Sequence, residues 1–411
     1  MPSSSRVAIT GIGVVSAFGL GRDVFWDAII NGKSGARAMN ELDLAHSACR
    51  IAAPVPDGQL GGDDEPRRAA KVSKIAVLAA REALADAGIV AAESRDLGVI
   101  VGSGAGGIDV AERQYGDYYS GDFHRVSPYA IPVSIVGIVS SEISIALGIR
   151  GISHVLSTGC TSSTDAIGYA ASMIRHGEAE VLLTGGADAC VTAGMLFGFS
   201  RMRAVATKYN DRPAEASRPF DRARDGFVLG EGAWLMTVER EERARARGAK
   251  IYAYVDGYAS TCDAYHRVQM DPEGTEIVRA MSLAIERAGR TPADVGYVNY
   301  HGTSTQLNDA VEAQSVARLF GDRAGDLCGS SIKSMIGHPQ GASGAAGVVA
   351  TALGMKTGLL PPTINLIDPD PACAGLDFIP NAARERQVET ALCNCLGFGS
   401  KNSAIVLGRA D

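Results

Sequence analysis

Cys160 lies in Ser-Thr-Gly-Cys-Thr-Ser-Ser-Thr-Asp-Ala-Ile-Gly, where an apolar strand-like run gives way to small polar residues and a long helical pattern begins after the thiol. The first N–H groups of a helix have no partner inside it and carry partial positive charge. A thiolate there is stabilised, so this placement predicts a nucleophile with a pKa below the free value of roughly 8.5. Strand ends that lead into helices are also where open α/β folds gather their sites. Two histidines offer partners: His301 in Tyr-His-Gly-Thr-Ser-Thr, and His338 in Lys-Ser-Met-Ile-Gly-His-Pro-Gln-Gly. Both follow predicted strands and sit among glycines, and Lys333 precedes His338 closely enough to add positive charge. A thiol facing imidazoles would form one composite site around a nucleophilic sulfur. His46, His124, His154, His176 and His266 lack such a setting and read as structural.

These groups must be carried by a repeating scaffold. Short β-branched runs alternate with amphipathic windows, which predicts parallel α/β layering. Strands are expected at 7–12, 97–101, 155–158 and 181–184, and a helix at 72–87 that stops at Gly88. The order then returns, with a strand at 251–257, a helix at 276–288, and strands at 295–300 and 403–407. Residues 81–104 and 283–303 both run helix, glycine stop, turn, strand and glycine-rich exit, so the chain reads as a divergent duplication, 1–248 and 249–411. The small-residue helix opening at 341–347 mirrors the one after Cys160. Two such halves would bring a cysteine and a histidine together at facing helix starts.

Gly102-Ser-Gly-Ala-Gly-Gly after the predicted strand at 97–101 satisfies the dinucleotide fingerprint G-x-G-x-x-G. An aromatic, glycine-interrupted stretch at 115–123 follows it, not the helix, strand and ribose-binding acid of that fold. Close backbone packing is the expected use of these glycines.

Composition bounds the rest. At 411 residues the chain exceeds a single core, and a net charge of −7 with dispersed Arg and Lys disfavours nucleic acid. Arg240, Arg243, Arg245 and Arg247 read as one solvated helix face. The eight cysteines are irregularly spaced, and Cys393 with Cys395 lacks a second pair, so no metal site is expected and most thiols read as reduced core residues. No secretion signal is visible, and the apolar stretches at 131–139 and 342–355 are too short or glycine-rich to span a bilayer. A soluble, cytoplasmic protein is expected.

Thr-Gly-Cys-Thr-Ser at Cys160, Asn-Tyr-His-Gly-Thr-Ser-Thr at His301, Ser-Ser-Ile-Lys-Ser-Met-Ile-Gly-His ending at His338, and Gly-Phe-Gly-Ser around Phe398 together resemble the elongating β-ketoacyl-acyl carrier protein synthases. The segments 216–233, 248–258, 262–266 and 359–371 are similar to the same family, so the resemblance covers nearly the whole chain. It implies a thiolase-like fold, a duplicated five-layered αβαβα arrangement, usually dimeric. The implied activity is decarboxylative Claisen condensation of malonyl-acyl carrier protein with an acyl chain held on Cys160. His301 and His338 are implied as donors to the enolate and Lys333 as a catalytic companion, with Glu312 and Asp263 ordering the site. The backbone N–H groups of Cys160 and Phe398 are implied as an oxyanion hole, Phe398 also as a gate, and Thr303 and Thr305 as hydrogen-bonding partners of a phosphopantetheine arm. Ala105 falls where relatives often carry a larger aliphatic residue limiting the acyl tunnel, which implies a longer or bulkier chain. No cofactor is implied, since the substrates ride on the phosphopantetheine of acyl carrier protein. That carrier and a second subunit, identical or a chain-length-factor homologue, are the implied partners.

Departures from the fatty-acid pattern also carry information. Gly159 replaces a usual Ala, and Thr-Gly-Cys resembles the ketosynthase subunits of type II polyketide systems; Tyr300 replaces Ala, Leu396 replaces Phe, and Ser400-Lys401 replaces Gly-Thr. Two other readings stay open: a subunit active only with a chain-length partner, and a thiolase-like acyltransferase using coenzyme A and a second cysteine, Cys393 or Cys395.

Overall fold

The computed structural model describes residues 6–60, 69–91 and 94–410. Residues 1–5, where a secretion signal would begin, lie outside them. The first repeat runs β1 (Val7–Ser16), α1 (Lys71–Ala87), β2 (Gly98–Gly102), α2 (Ile138–Leu147), β3 (Ser153–Leu156), α3 (Ser162–Arg175), β4 (Val181–Ala189) and β5 (Leu229–Arg240). The second repeats that order as β6 (Ala253–Cys262), α4 (Thr275–Arg287), β7 (Tyr297–Asn299), α5 (Gln306–Phe320), β8 (Cys328–Ser330), α6 (Ser343–Thr357), β9 (Thr390–Gly397) and β10 (Lys401–Arg409). Shorter strands and helices fill the connections.

The strand order is β3-β2-β4-β5-β1-β6-β10-β9-β7-β8, so each half is the image of the other about the β1–β6 seam. In both, the two outer pairings are parallel and the two inner ones antiparallel. The seam is a short antiparallel pairing, Val7 with Val255, Ala8 with Tyr254 and Ile9 with Ala253.

Local chemistry explains the layering. Helix α1 buries Val72, Ile75, Ala76, Ala79, Ala80, Ala83 and Leu84 and ends at Gly88, whose φ of 65° is the left-handed cap that glycine adopts without penalty. It lies flush on β1 because Gly11 and Gly13 have no side chain. A Cβ on Gly11 would meet the Ala83 carbonyl at 2.1 Å, and on Gly257 of β6 it would meet the Ala284 carbonyl of α4 at the same distance. The outer core thus packs α1 and α2 on one sheet half, and α4 and α5 cover the other. Helices α3 and α6 fill the middle layer between the halves.

Three expectations shift. The strand expected at 155–158 ends at Leu156, because Ser157 and Thr158 turn to deliver Cys160. Strands β5 and β9 were not anticipated; their glycines and mixed polar residues hide buried strands. A helix, Ile108–Tyr119, does follow the glycine loop after β2. What excludes a dinucleotide is that Asp188 already takes the loop's donors, accepting from the N–H groups of Gly104 (2.8 Å) and Ala105 (3.0 Å) and the Ser103 hydroxyl (2.8 Å).

Candidate active site

Cys160 is the middle residue of the one-turn 3₁₀ segment Gly159–Thr161, between β3 and α3, and is 4% exposed. Gly159 has φ +71°, a left-handed backbone that a side chain would strain. Ser162 ties the turn, donating to the Gly159 carbonyl and accepting from the Thr158 N–H at 2.9 Å. Asp165 in the first turn of α3 accepts from Thr158, Thr161, Tyr258 and Ser403, the last two from the second repeat. The second repeat copies this turn before α6, where Gln340 has φ +43° and Gly341 takes the place of the cysteine. There the Gly341 N–H is bound to Asp188 at 2.6 Å. One repeat leaves its turn for a substrate and the other fills it with an internal carboxylate.

The expected fall in the Cys160 pKa does not occur. Burial pushes the thiol up to about 11, and the Phe398 N–H and the Lys333 charge offset only part of this. Desolvation of a thiolate outweighs a partial helix charge, so the sulfur rests protonated.

The sulfur and one ring nitrogen from each of His301 and His338 lie within 4.8 Å of one another. The two rings stand perpendicular, their centroids 5.4 Å apart. Nδ1 of His338 is paired with the Ser343 hydroxyl at 2.8 Å, on the first residue of α6. Nδ1 of His301 contacts the Cys395 sulfur at 3.6 Å. Both outer nitrogens engaged in this way leave Nε2 for the cavity. Burial, reinforced by Lys333, holds both rings well below the usual histidine pKa, so they are neutral at pH 7 and each carries a single N–H.

Lys333 is buried on the short helix Lys333–Ile336, and burial lowers its pKa. Glu312 does not pair with it: among the described residues no ion pair joins the two. Its carboxylate accepts from the N–H groups of His301 and Gly302 and from Asn394 Nδ2, each at 2.7 Å, and so shapes the His301 loop. Asp263 stands apart from the thiol and accepts from Asn402 Nδ2 at 2.6 Å beneath the Phe398 loop.

A cavity of about 330 Å³ opens onto Cys160, His301 and His338, and Thr303, Thr305 and Phe398 line it. The two threonine hydroxyls are 2.9 Å apart. Ala105 is not among the residues lining this cavity; it packs against an apolar cluster with Cys190, Leu196 and Phe227, and Phe227 itself lines the cavity and edges onto His338.

Several positioning groups were not singled out from the sequence. Arg224, 1% exposed, binds Asp370 at 2.6 Å and the carbonyls of Thr305 and Gln306 at 2.9 Å, while Asp309 accepts from the Ser304 N–H. Ser304 itself has φ +70°. Within the 216–233 segment, buried Arg224 and the Arg218 N–H, which donates to the Ser304 hydroxyl, brace the His301–Thr305 loop. Asp188 and Ser343 are the others, and single residues distant in sequence carry no spacing signal; Cys395, noted in the sequence only as a metal-ligand or second-nucleophile candidate, lies instead against the His301 ring.

Residues 4–244 match the model of the β-ketoacyl synthase N-terminal domain, and 252–367 that of the C-terminal domain. The chain belongs to the β-ketoacyl synthase family. This synthase is 40% identical to 3-oxoacyl-[acyl-carrier-protein] synthase 2 of Rhizobium meliloti, covering 98% of this chain and 99% of that one. It is 39% identical to the tetracenomycin polyketide synthase ketoacyl synthase alpha subunit of Streptomyces glaucescens, over 99% and 98%. A type II polyketide ketosynthase solved with its acyl-carrier protein and bound to the hexaketide superposes with a TM-score of 0.92 at 30% identity, over the full length of both chains. The ishigamide ketosynthase/chain length factor gives 0.91 at 32%, again over both chains in full. The synthase therefore has the thiolase-like ketosynthase architecture. No helix among the described residues is long and apolar enough to cross a membrane.

Proposed function

We propose that this synthase condenses malonyl-acyl carrier protein with an acyl chain carried on Cys160, within type II polyketide or fatty-acid synthesis. The observation that carries the reading is the convergence of one thiol and two neutral imidazoles within 4.8 Å at the floor of a cavity lined by Thr303, Thr305 and Phe398. In loading, Cys160 gives its proton to an imidazole and attacks the acyl thioester. The tetrahedral oxygen is held by the N–H groups of Cys160 and Phe398, and the phosphopantetheine thiol departs with the proton. In condensation, malonyl thioester loses CO2, and Nε2–H of His301 and His338 hold the enolate oxygen. Its carbon attacks the Cys160 thioester, the C–C bond forms, the C–S bond breaks, and a β-ketoacyl chain leaves on the carrier. Lys333 adds positive potential without touching a carboxylate. No cofactor enters this sequence.

A carrier protein as donor and acceptor is supported by the polar threonine pair on the way to the thiol. A second subunit is supported by the edge strand β3, paired only to β2 among the described residues, with Ile145 exposed on the helix that leads into it. The solved ketosynthase/chain length factor is the model for a heterodimer, and a homodimer is the other form. Incubation with acyl- and malonyl-carrier protein is expected to release CO2 and yield a β-ketoacyl product. A Cys160→Ala variant that still condenses, or an enzyme that only cleaves acetoacetyl-coenzyme A, overturns the proposal.

A further inference from the structure

Strand β9 alternates two faces as it approaches the site. Leu392 and Leu396 enter the outer core with α4 and α5, while Cys393 and Cys395 face the middle layer. Cys393 donates to Thr351 on α6 at 3.3 Å, a packing contact within the core. Cys395, one step nearer the strand end and 1% exposed, is placed differently. Its Sγ donates to the main-chain carbonyl of Cys160 at 3.2 Å and lies 3.6 Å from Nδ1 of His301. One side chain therefore touches the backbone of the nucleophile and the back of the imidazole that faces it.

We propose that Cys395 is a positioning residue for condensation, holding the His301 ring at Nδ1 and tying it to the turn that presents Cys160. His301 lies on a loop whose other supports, Glu312, Arg224 and Asp309, hold main-chain groups and not the ring. At the ring itself Cys395 is the partner at Nδ1. A thiol suits that place because it has one weak hydrogen and a polarisable lone pair. It donates to Nδ1 when Nε2 bears the proton, and it accepts Nδ1–H, with its own hydrogen on the Cys160 carbonyl, when Nε2 is bare. Proton uptake from Cys160 in loading and N–H donation in condensation call for these two ring states, and a carboxylate in that position would favour only one. Burial holds the Cys395 thiol up at about 12, so it acts as a neutral partner and not as a second nucleophile.

The inference rests on the condensing reading, and its test has one arm that does not. Cys395→Ala removes the contact and Cys395→Ser restores it with a smaller atom; melting temperatures identify either variant that fails to fold. In full condensation assays, Cys395→Ala is expected to lower kcat about tenfold with KM unchanged, and Cys395→Ser to recover most of it. Without any substrate, iodoacetamide alkylation of Cys160, followed by peptide mass spectrometry across pH 6–10, is expected to slow and change its pH profile in Cys395→Ala but not in Cys395→Ser. Equal losses in both variants at full stability would assign Cys395 to packing alone. An unchanged alkylation profile in Cys395→Ala overturns the proposal whatever the substrate proves to be. Cleavage of acetoacetyl-coenzyme A that vanishes in both variants would make Cys395 a thiolase-type acid–base group, and would also overturn it.

Discussion

The Ser400 hydroxyl donates to the main-chain carbonyl of His266 at 2.9 Å, and accepts from the N–H groups of Tyr265 and His266 at 3.2 and 3.1 Å. Its own carbonyl accepts the Asp263 N–H at 2.8 Å, and Gly399 donates to Arg267 at 3.0 Å. The turn after Phe398 is thereby moored to the 263–267 segment. Ser400 holds a φ of +64°, a conformation glycine takes more readily, so its bonds offset backbone strain. Ser400→Gly is expected to relieve the strain and lose the mooring: amide hydrogen exchange across 397–401 should quicken at least tenfold. Ser400→Ala keeps the strain and loses the bonds, lowering stability by about 1–3 kcal/mol in denaturant melts.

Glu312 sets a pH limit. Burial pushes its carboxyl up to about 7 against the donors from His301, Gly302 and Asn394. Protonation places a hydroxyl against one of those donors, so activity should fall as pH drops through about 7. His301 and His338 titrate well below that range and do not supply this limb. Stability runs the other way: the unfolded carboxyl ionises near 4.5 and the folded one near 7, so this group's contribution declines as pH rises between those values and is flat above, by on the order of 3 kcal/mol in all. In Glu312→Gln the limb near pH 7 should vanish from the kcat/KM profile, with the rate at pH 8 lowered about tenfold or more.

Gly159 answers to backbone geometry. Only the Phe398 carbonyl, at 3.4 Å, lies near a Cβ placed there, so the obstacle to a side chain is the φ of +71°. Gly159→Ala is expected to cost about 1–2 kcal/mol, read as a lower melting temperature, without a steric change in the cavity.

Asp188 binds four donors, three from the loop after β2 and one from Gly341 before α6, and so clamps the two repeats behind the thiol. Asp188→Asn turns one acceptor atom into a donor facing N–H groups, with an expected loss of about 2–4 kcal/mol in equilibrium unfolding.

Cys160 is a protonated thiol at rest. Since burial holds it near 11, its alkylation by iodoacetamide should still be rising at pH 9. A plateau below pH 8 would mean that a thiolate is already formed.

The sequence by itself showed the duplication and much of the order of elements, and pointed to Cys160, His301, His338 and Lys333 as candidates. Those features are local: glycine stops at Gly88 and Gly289, periodic apolar residues, and small-residue turns before α3 and α6 all act within a few residues of chain. Tertiary structure decided the state and company of those groups. The Cys160 pKa rises because the folded chain buries the thiol, which the helix start alone could not reveal. Glu312 orders the site by accepting main-chain N–H groups, and Ala105 is not among the residues lining the cavity, because distance in space and not spacing in sequence sets both. Cys395, Asp188 and Arg224 act on residues up to a few hundred positions away, and only folding the two repeats together brings them within hydrogen-bond reach.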